Sequence, residues 1–305
     1  MASFNRLIDR NKRLSVLLFI FTAALLGLLG AGASYWWGGD WISGLLIALV
    51  VAAVYFFLSW NFGASLVLSS SGAREISHDD IPQLWNVVEE LSIAGGIPPP
   101  KIYIIEDEAL NAFATGKDPA HASVAITRGL MEKLNREELQ AVMGHEMSHV
   151  RNYDIRFSML MAVMVGSIVL LADGIRRSMF FGRRRSRSSR GGGQGQAILA
   201  IFAILLSILA PLLATLIQLA VSRQREYLAD ASGVELTRNP AGLISALKKL
   251  TADTSELETA NRGMQHLYIV NPFNRKKKGS NSLFSTHPSL ESRIERLQSL
   301  IGQYR

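Results

Sequence analysis

The sequence predicts a mostly α-helical integral membrane protein in which transmembrane helices are joined to an α+β domain with a small sheet. Of the 305 residues, 49% are hydrophobic and the mean hydropathy is positive, which favours a chain partly lodged in lipid. Two long runs without a charged residue stand near the N-terminus, and from residue 61 the composition becomes that of a globular domain. These features argue against a purely soluble protein.

The two apolar runs predict an N-terminal transmembrane hairpin over residues 1–60. Leu14–Trp37 holds 24 residues without a charge, enough at about 1.5 Å per residue to cross a hydrocarbon core of about 30 Å. A cleaved signal peptide is the alternative, because Ala31-Gly32-Ala33 is like a cleavage site, but the run exceeds a signal core of roughly 7–15 residues. Trp41–Trp60 is a second run with Trp at both ends, as in interfacial belts. Basic residues before Leu14 place the N-terminus in the cytoplasm by the positive-inside rule.

Cysteine content and net charge limit the chemistry. The chain has no cysteine, which excludes disulfides, thiolate metal sites and a cysteine nucleophile. A metal site must therefore use histidine and carboxylate ligands. The net charge of +7 is attributed to basic loops facing the lipid bilayer, and no nucleic acid is expected as a partner.

Residues 61–156 are predicted to form the first segment of a soluble domain. Apolar residues recur with a helical period over 81–93, and short β-branched runs predict strands at 101–105 and 122–127. Between the two strands, 110–116 is open to two interpretations, an edge strand or a loop.

A helix that begins after Asn135 carries the motif "GHEMSH". Asn135 and Glu138 have the spacing of a capping box, so the motif lies in mid-helix. Residues i and i+4 share a helix face, so His145 and His149 can bind one ion, with Glu146 beside them and within reach of a water. This is the H-E-x-x-H arrangement of a zinc site.

The stretch "SRQREYLAD" is the candidate source of a third ligand. A closed structural zinc site takes four protein ligands, whereas a catalytic site has three and leaves a position for water. Glu226 and Asp230 are also i and i+4. Solvated carboxylates paired with Arg223 or Arg225 are the alternative, but beside H-E-x-x-H we expect Glu226 to complete the site and Asp230 to accept the other ring N–H of a zinc histidine.

Four stretches together carry a family resemblance: "LNAFATG", "HEMSH", "SRQREYLAD" and "STHPSLESRIERL". In this order, after a membrane hairpin, they resemble the HtpX-type membrane metallopeptidases of the M48 (gluzincin) family. The resemblance implies a zincin-like α+β metallopeptidase domain and a zinc endopeptidase of protein quality control. It also implies a multi-pass protein of the bacterial inner membrane whose cytoplasmic active site cleaves misfolded or damaged membrane proteins.

The resemblance also implies roles for individual residues. One Zn²⁺ per chain is bound by His145, His149 and Glu226, Glu146 is the general base, and Asp230 supports the site from behind a ligand. The edge strand that pairs with substrate is formed by Asn111, Ala112 and Phe113. His287 approaches the site from the C-terminal region, although a role as cap of the helix beginning near Ser289 is equally open.

Residues 157–221 are predicted to form two hydrophobic helices joined by an arginine-rich loop, and 222–305 the second segment of the catalytic domain. If His145 and Glu226 meet at one ion, 157–172 and 197–221 either both span the bilayer or both do not. Two spans would place seven arginines on the far side, against the positive-inside rule. The resemblance favours two spans, which makes four in total.

In the second segment, a helix is expected over 240–250. A final helix is expected to carry an apolar stripe formed by Leu290, Ile294, Leu297 and Ile301.

Two other classes of function are compatible with the sequence. A non-catalytic scaffold or holdase could keep the zinc fold for stability, but such a site has no use for Glu146. A lipid or nucleic-acid binder could act through its arginine loop with an incidental metal site, and its binding would depend steeply on salt.

Overall fold

The computed structural model describes residues 2–36, 39–164, 223–253, 266–270 and 288–299, together with positions 255, 257, 264 and 301. Most of the predicted helical pair 157–221 and His287 lie outside the described residues. The proposed division of the chain into segments stays a prediction.

Two long helices open the chain, α1 (Ala2–Trp36) and α2 (Trp41–Ser70). Both are long and apolar enough to cross a membrane, by length and composition. Asp40 begins α2 as its N-cap and accepts a hydrogen bond from the Ser43 N–H at 3.0 Å. Many large apolar side chains of both helices are exposed, as expected for surfaces that face lipid.

The two helices of this hairpin pack closely at a glycine contact. A Cβ atom at Gly44 would overlap the carbonyl oxygen of Gly30, and a Cβ at Gly30 would overlap Ala48. Small residues at such a contact let helix backbones approach each other, which is the usual basis of helix association in membranes.

The soluble part contains a four-stranded sheet within the described ranges. Its strands are β1 (Ala73–Glu75), β2 (Lys101–Ile105), β3 (Ala112–Gly116) and β4 (Ala122–Thr127). The order is β1-β2-β4-β3, with β2 and β4 parallel and the other two pairs antiparallel. The sequence allowed either an edge strand or a loop at 110–116, and the structure contains an edge strand there.

Helices pack against the sheet and against one another. They are α3 (Pro82–Gly95), α4 (Arg128–Lys133), α5 (Arg136–Arg151), α6 (Arg223–Thr237), α7 (Pro240–Ala252) and α8 (Leu290–Gln298). Residues 154–164 are also helical. The predicted fold class, mostly helical with two candidate membrane helices and a small mixed sheet, is confirmed.

The main core lies between the sheet and the helices α3, α5 and α7. Its fully buried members include Leu84, Ile104, Ile126, Leu139 and Leu247. Because α5 runs through this core, most of its residues from 138 to 150 are buried. The motif helix is thus held rigidly from several sides.

A second glycine contact fixes the distance between α5 and α6. A Cβ at Gly233 would stand 2.9 Å from the backbone nitrogen of His145 and 3.1 Å from the carbonyl carbon of Gly144. Both neighbours are backbone atoms of a helix, so they cannot move aside as a flexible side chain would. The absence of side chains lets the two helices touch at the motif itself.

Gly233→Ala is expected to push α6 away from α5 and to lower the melting temperature of the detergent-purified chain. Overpacking of this kind costs about 1–3 kcal/mol. The matched control is Gly95→Ala, whose Cβ would meet side chains at ordinary distances of 3.6 and 3.7 Å. Equal melting temperatures for the two variants would contradict the close contact.

Candidate metal centre

Helix α5 brings the two histidines of the motif together on one face. The helix begins at a complete capping box, in which Asn135 and Glu138 each accept a hydrogen bond from the other's backbone N–H. One turn apart, His145 and His149 direct their Nε2 atoms to a common point and lie 3.3 Å apart at these atoms. The prediction that the motif lies in mid-helix was wrong, because α5 ends at Arg151 and His149 is in its last turn.

Glu226 on α6 completes the group from the opposite side. Its Oε2 lies 3.7 Å from Nε2 of His145, and its Oε1 lies 3.7 Å from Nε2 of His149. The candidate ligand atoms all lie within 4.8 Å of one another. Atoms that bind one zinc ion at about 2.0–2.1 Å in a tetrahedral arrangement are about 3.3–3.4 Å apart. Two imidazoles and a carboxylate at these distances fit a divalent cation.

Asp230 fixes the orientation of His145. Its Oδ1 lies 2.9 Å from Nδ1 of His145, as expected from the i and i+4 spacing with Glu226. Arg293 Nη2 lies farther from the same nitrogen, at 3.3 Å, and a guanidinium can only donate. We therefore assign the proton of His145 to Nδ1, which leaves the Nε2 lone pair directed at the candidate metal position.

Arg293 on α8 is a residue that sequence reasoning missed. It is fully buried and donates two hydrogen bonds to Asp230, at 2.6 and 2.8 Å, while its Nη1 lies 3.7 Å from Glu226. The sequence did contain an indication that Arg293 is buried. Position 293 is three residues after Leu290 and four before Leu297, which places it on the apolar stripe. A charge at such a position indicates a buried partner.

His149 has a comparable partner in Asp154, which the sequence also did not reveal. The Oδ2 of Asp154 lies 3.0 Å from Nδ1 of His149. On the other side of this carboxylate, Nη1 of Arg225 lies 3.7 Å from Oδ1. Asp154 and Arg225 are both buried.

Glu146 shares a small cavity with the three candidate ligands. The cavity measures about 30 Å³, enough for a water molecule and far too small for a peptide. Burial raises the pKa of Glu146 to about 7, and the nearby Glu226 carboxylate acts in the same direction. The Ala114 N–H donates a hydrogen bond to Glu146 and partly opposes this effect. A buried carboxyl group with such a pKa can accept and return a proton near neutral pH.

Burial also acts on the other ionisable groups of the site. It lowers the pKa of His145, and the charge of Arg293 adds to this effect. For His149, burial alone would lower the pKa, but Asp154 and Glu226 outweigh it and raise the pKa to about 9. Burial alone would raise the pKa of Asp230, but Arg293 outweighs it and the pKa is lowered. A bound cation competes with the proton for the histidine Nε2 atoms, so it favours the neutral form of both rings.

The predicted substrate strand lies beside this cavity, with its outer edge already in contact with the chain. The carbonyl of Ala112 accepts a hydrogen bond from the Ile269 N–H at 3.0 Å. The side chain of Asn111 donates to the carbonyl of Val270 at 3.0 Å. Phe113 is buried edge-on against Tyr268. Residues 266–270 therefore cover the edge of β3 at the site.

His287 lies outside the described residues, so its predicted approach to the site stays a prediction. The N-cap of α8 is Ser289, whose side chain accepts from the Ser292 N–H at 3.2 Å. The cap position considered for His287 is thus held by Ser289.

Comparison with known proteins identifies the family. A family model described as Peptidase family M48 matches residues 79–301. A protein named Protease HtpX homolog from Ligilactobacillus salivarius is 44% identical over 294 residues, which cover 96% of this chain and 98% of that protein. A protein of the same name from Dictyoglomus thermophilum is 43% identical over 299 residues, which cover 98% of this chain and 95% of that protein.

Among solved structures, the crystal structure of S. mikatae Ste24p matches with a TM-score of 0.49 and 21% identity, covering 96% of this chain and 66% of that chain. The family assignment depends on the sequence matches, which extend over the membrane hairpin and the metal centre alike. The chain therefore belongs to peptidase family M48 and is a membrane metalloprotease similar to HtpX.

Proposed function

We propose that the protein is a zinc endopeptidase in which His145, His149 and Glu226 bind the metal and Glu146 is the general base. The observation that carries this proposal is the convergence of two imidazoles and two carboxylates, from two helices, on a cavity large enough for a water. Zinc is preferred by the ligand types and by the motif. When bound, it supplies Lewis acidity that acidifies a water and polarises a peptide carbonyl.

Glu146 performs the proton transfers in this proposal. Its carboxylate takes a proton from the attacking water and returns it to the amine that leaves when the peptide bond breaks. Burial and Glu226 hold its proton affinity high, while the hydrogen bond from the Ala114 N–H acts in the opposite direction. Asp230 keeps the His145 ring fixed, so that the ligands need little rearrangement during turnover.

We further propose that β3 binds the substrate as an added strand through Ala112 and its neighbours Asn111 and Phe113. Its outer edge lies next to Glu146, since the N–H of Ala114 reaches the Glu146 carboxylate. An extended peptide pairs with such an edge through backbone hydrogen bonds. Because Ile269 already bonds to the Ala112 carbonyl, residues 266–270 must give way when substrate enters.

Misfolded or damaged membrane proteins are the proposed substrates, cleaved at the cytoplasmic face of the bacterial inner membrane. The basic residues before Leu14 support a cytoplasmic N-terminus. A two-helix hairpin returns the chain to the same side, where β1 follows α2 after two residues. A catalytic domain joined so closely to lipid favours substrates that are themselves in the membrane.

The general base is tested by Glu146→Gln. We expect cleavage of an unfolded protein substrate to fall at least about 100-fold, because the carboxylate that moves the proton is lost, while bound zinc is retained. The assay compares the detergent-purified, zinc-loaded variant with Glu137→Gln, which changes an exposed glutamate of the same helix. Equal cleavage by Glu146→Gln and the wild type would exclude Glu146 as the base.

The substrate strand is tested by Ile269→Pro, which removes the N–H that bonds to Ala112. If residues 266–270 occupy the place of the substrate, kcat/KM for an unfolded substrate rises several-fold, mainly through a lower KM. Ile269→Val keeps the N–H and is the control. A lower kcat/KM for Ile269→Pro, with zinc content unchanged, would mean that the segment helps to bind substrate.

The four-span topology is tested by labelling cysteine variants of the naturally cysteine-free chain. In this topology Ser188→Cys lies on the far side of the membrane and reacts with an impermeant thiol reagent on intact cells. Ala94→Cys, exposed in the soluble part, reacts only after the cells are opened. Protection of Ser188→Cys on intact cells would contradict four spans and favour a helical pair that does not cross.

A further inference from the structure

The turn after α5 returns Asp154 to the metal centre. On a continuous helix, a residue five positions after His149 would be rotated by about 140° from it, since each residue adds about 100°. The helix instead ends with Asn152 as its C-cap, and Tyr153 has a left-handed backbone with φ of 60°. A non-glycine residue in this region costs roughly 1–2 kcal/mol. This strained turn brings the Asp154 carboxylate to Nδ1 of His149.

The two histidines are held in matching ways from opposite sides. Nδ1 of His145 faces Asp230, which is bound by Arg293, and Nδ1 of His149 faces Asp154, which is approached by Arg225. All four partners are buried. Asp154 and Arg293 lie on other elements than Arg225 and Asp230, which share α6, so no local repeat produces the similarity.

Arg225 also joins the two helices that carry the ligands. It directly precedes Glu226 on α6, while Asp154 begins the helical segment after α5. Its guanidinium also lies over the ring of Phe157, at 5.6 Å from the centroid. The ion pair with Asp154 therefore couples the position of His149 to that of Glu226.

We propose that Asp154 is the positioning residue of His149, that Arg225 holds Asp154 in place, and that this pair sets the affinity of the centre for its metal. The inference rests on the proposed function, in which His149 is a ligand. Asp154 accepts the Nδ1–H, so Nε2 keeps its lone pair for the cation. A carboxylate behind a ligand histidine also makes the imidazole a stronger donor, and loss of such a partner typically weakens metal affinity about 10- to 100-fold.

The competing role for Asp154 is that of a simple helix cap. Asn and Asp cap helices about equally well, so Asp154→Asn preserves a cap. The amide cannot supply the negative charge that faces Arg225, and its NH₂ group can donate to Nδ1 and stabilise the wrong tautomer. Asp154→Asn therefore separates the two roles.

The test measures zinc affinity of the detergent-purified full chain by competition with a chelator. We expect about 10- to 100-fold weaker zinc binding for Asp154→Asn and a smaller loss for Arg225→Gln. The double variant is expected to be no worse than Asp154→Asn alone, because both changes break one interaction. In the zinc-loaded state, kcat falls while KM stays within about twofold, since Asp154 acts through a ligand and not on substrate.

Glu138→Gln is the matched control. Like Asp154, Glu138 is a buried carboxylate with a cationic partner, Lys249 at 2.6 Å, but it lies in the first turn of α5, away from the histidines. Its loss is expected to lower the melting temperature without changing zinc affinity. If Asp154→Asn proves too unstable to purify, Arg225→Gln alone carries the comparison.

Zinc affinity within twofold of wild type in Asp154→Asn, or equal weakening in Glu138→Gln, would overturn the inference. Additive losses in the double variant would overturn the part assigned to Arg225. Failure of the proposed function has a different signature, because the wild type would then bind zinc no more tightly than Glu226→Gln.

Discussion

The contact between α5 and α6 is the constraint on which the rest of the centre depends. The candidate ligands stand on two helices whose motifs are separated by about 80 positions of the chain, so no local interaction can hold them together. Gly144 and Gly233 let the backbones touch. The buried Arg293 binds Asp230 and lies near Glu226 of α6, and Asp230 in turn orients the ring of His145. Breaking a buried ion pair by removing one partner costs about 3–5 kcal/mol. The same contacts that stabilise the fold thus also hold the metal ligands in place.

The metal centre is already ordered, whereas the edge of β3 proposed to bind substrate is covered. At the cavity, His145, Glu146 and Glu226 are buried, and Asp230 and Asp154 orient the two histidines. This is the arrangement expected of a preorganised catalytic site. The edge strand beside them is covered by residues 266–270 through the backbone of Ile269 and the side chain of Asn111. In the proposed mechanism, this cover keeps other peptides from β3 until a substrate displaces residues 266–270.

Local sequence patterns predicted the helices and the motif. The residues that they did not predict, Asp154 and Arg293, are placed by contacts between distant parts of the chain. The capping box of Asn135 and Glu138, the spacing of His145 and His149, and the apolar runs of the hairpin each depend on neighbours along the chain, and the structure contains them. Asp154 escaped prediction because a left-handed residue at Tyr153 brings it back toward His149. Arg293 escaped because its partners lie on another helix, although its place on an apolar stripe was a usable signal.

The sequence by itself determined the family, the membrane hairpin, the motif helix and the types of ligand that a metal could find, because periodicity, residue chemistry and spacing are local properties. Only the tertiary structure decided which carboxylate stands behind each histidine, which arginines hold those carboxylates, and what covers the edge of β3. The physical reason is that these contacts join residues from separate elements. Their geometry depends on how closely two helices pack and on where a turn directs a side chain. Neither of these can be inferred from a single stretch of the sequence.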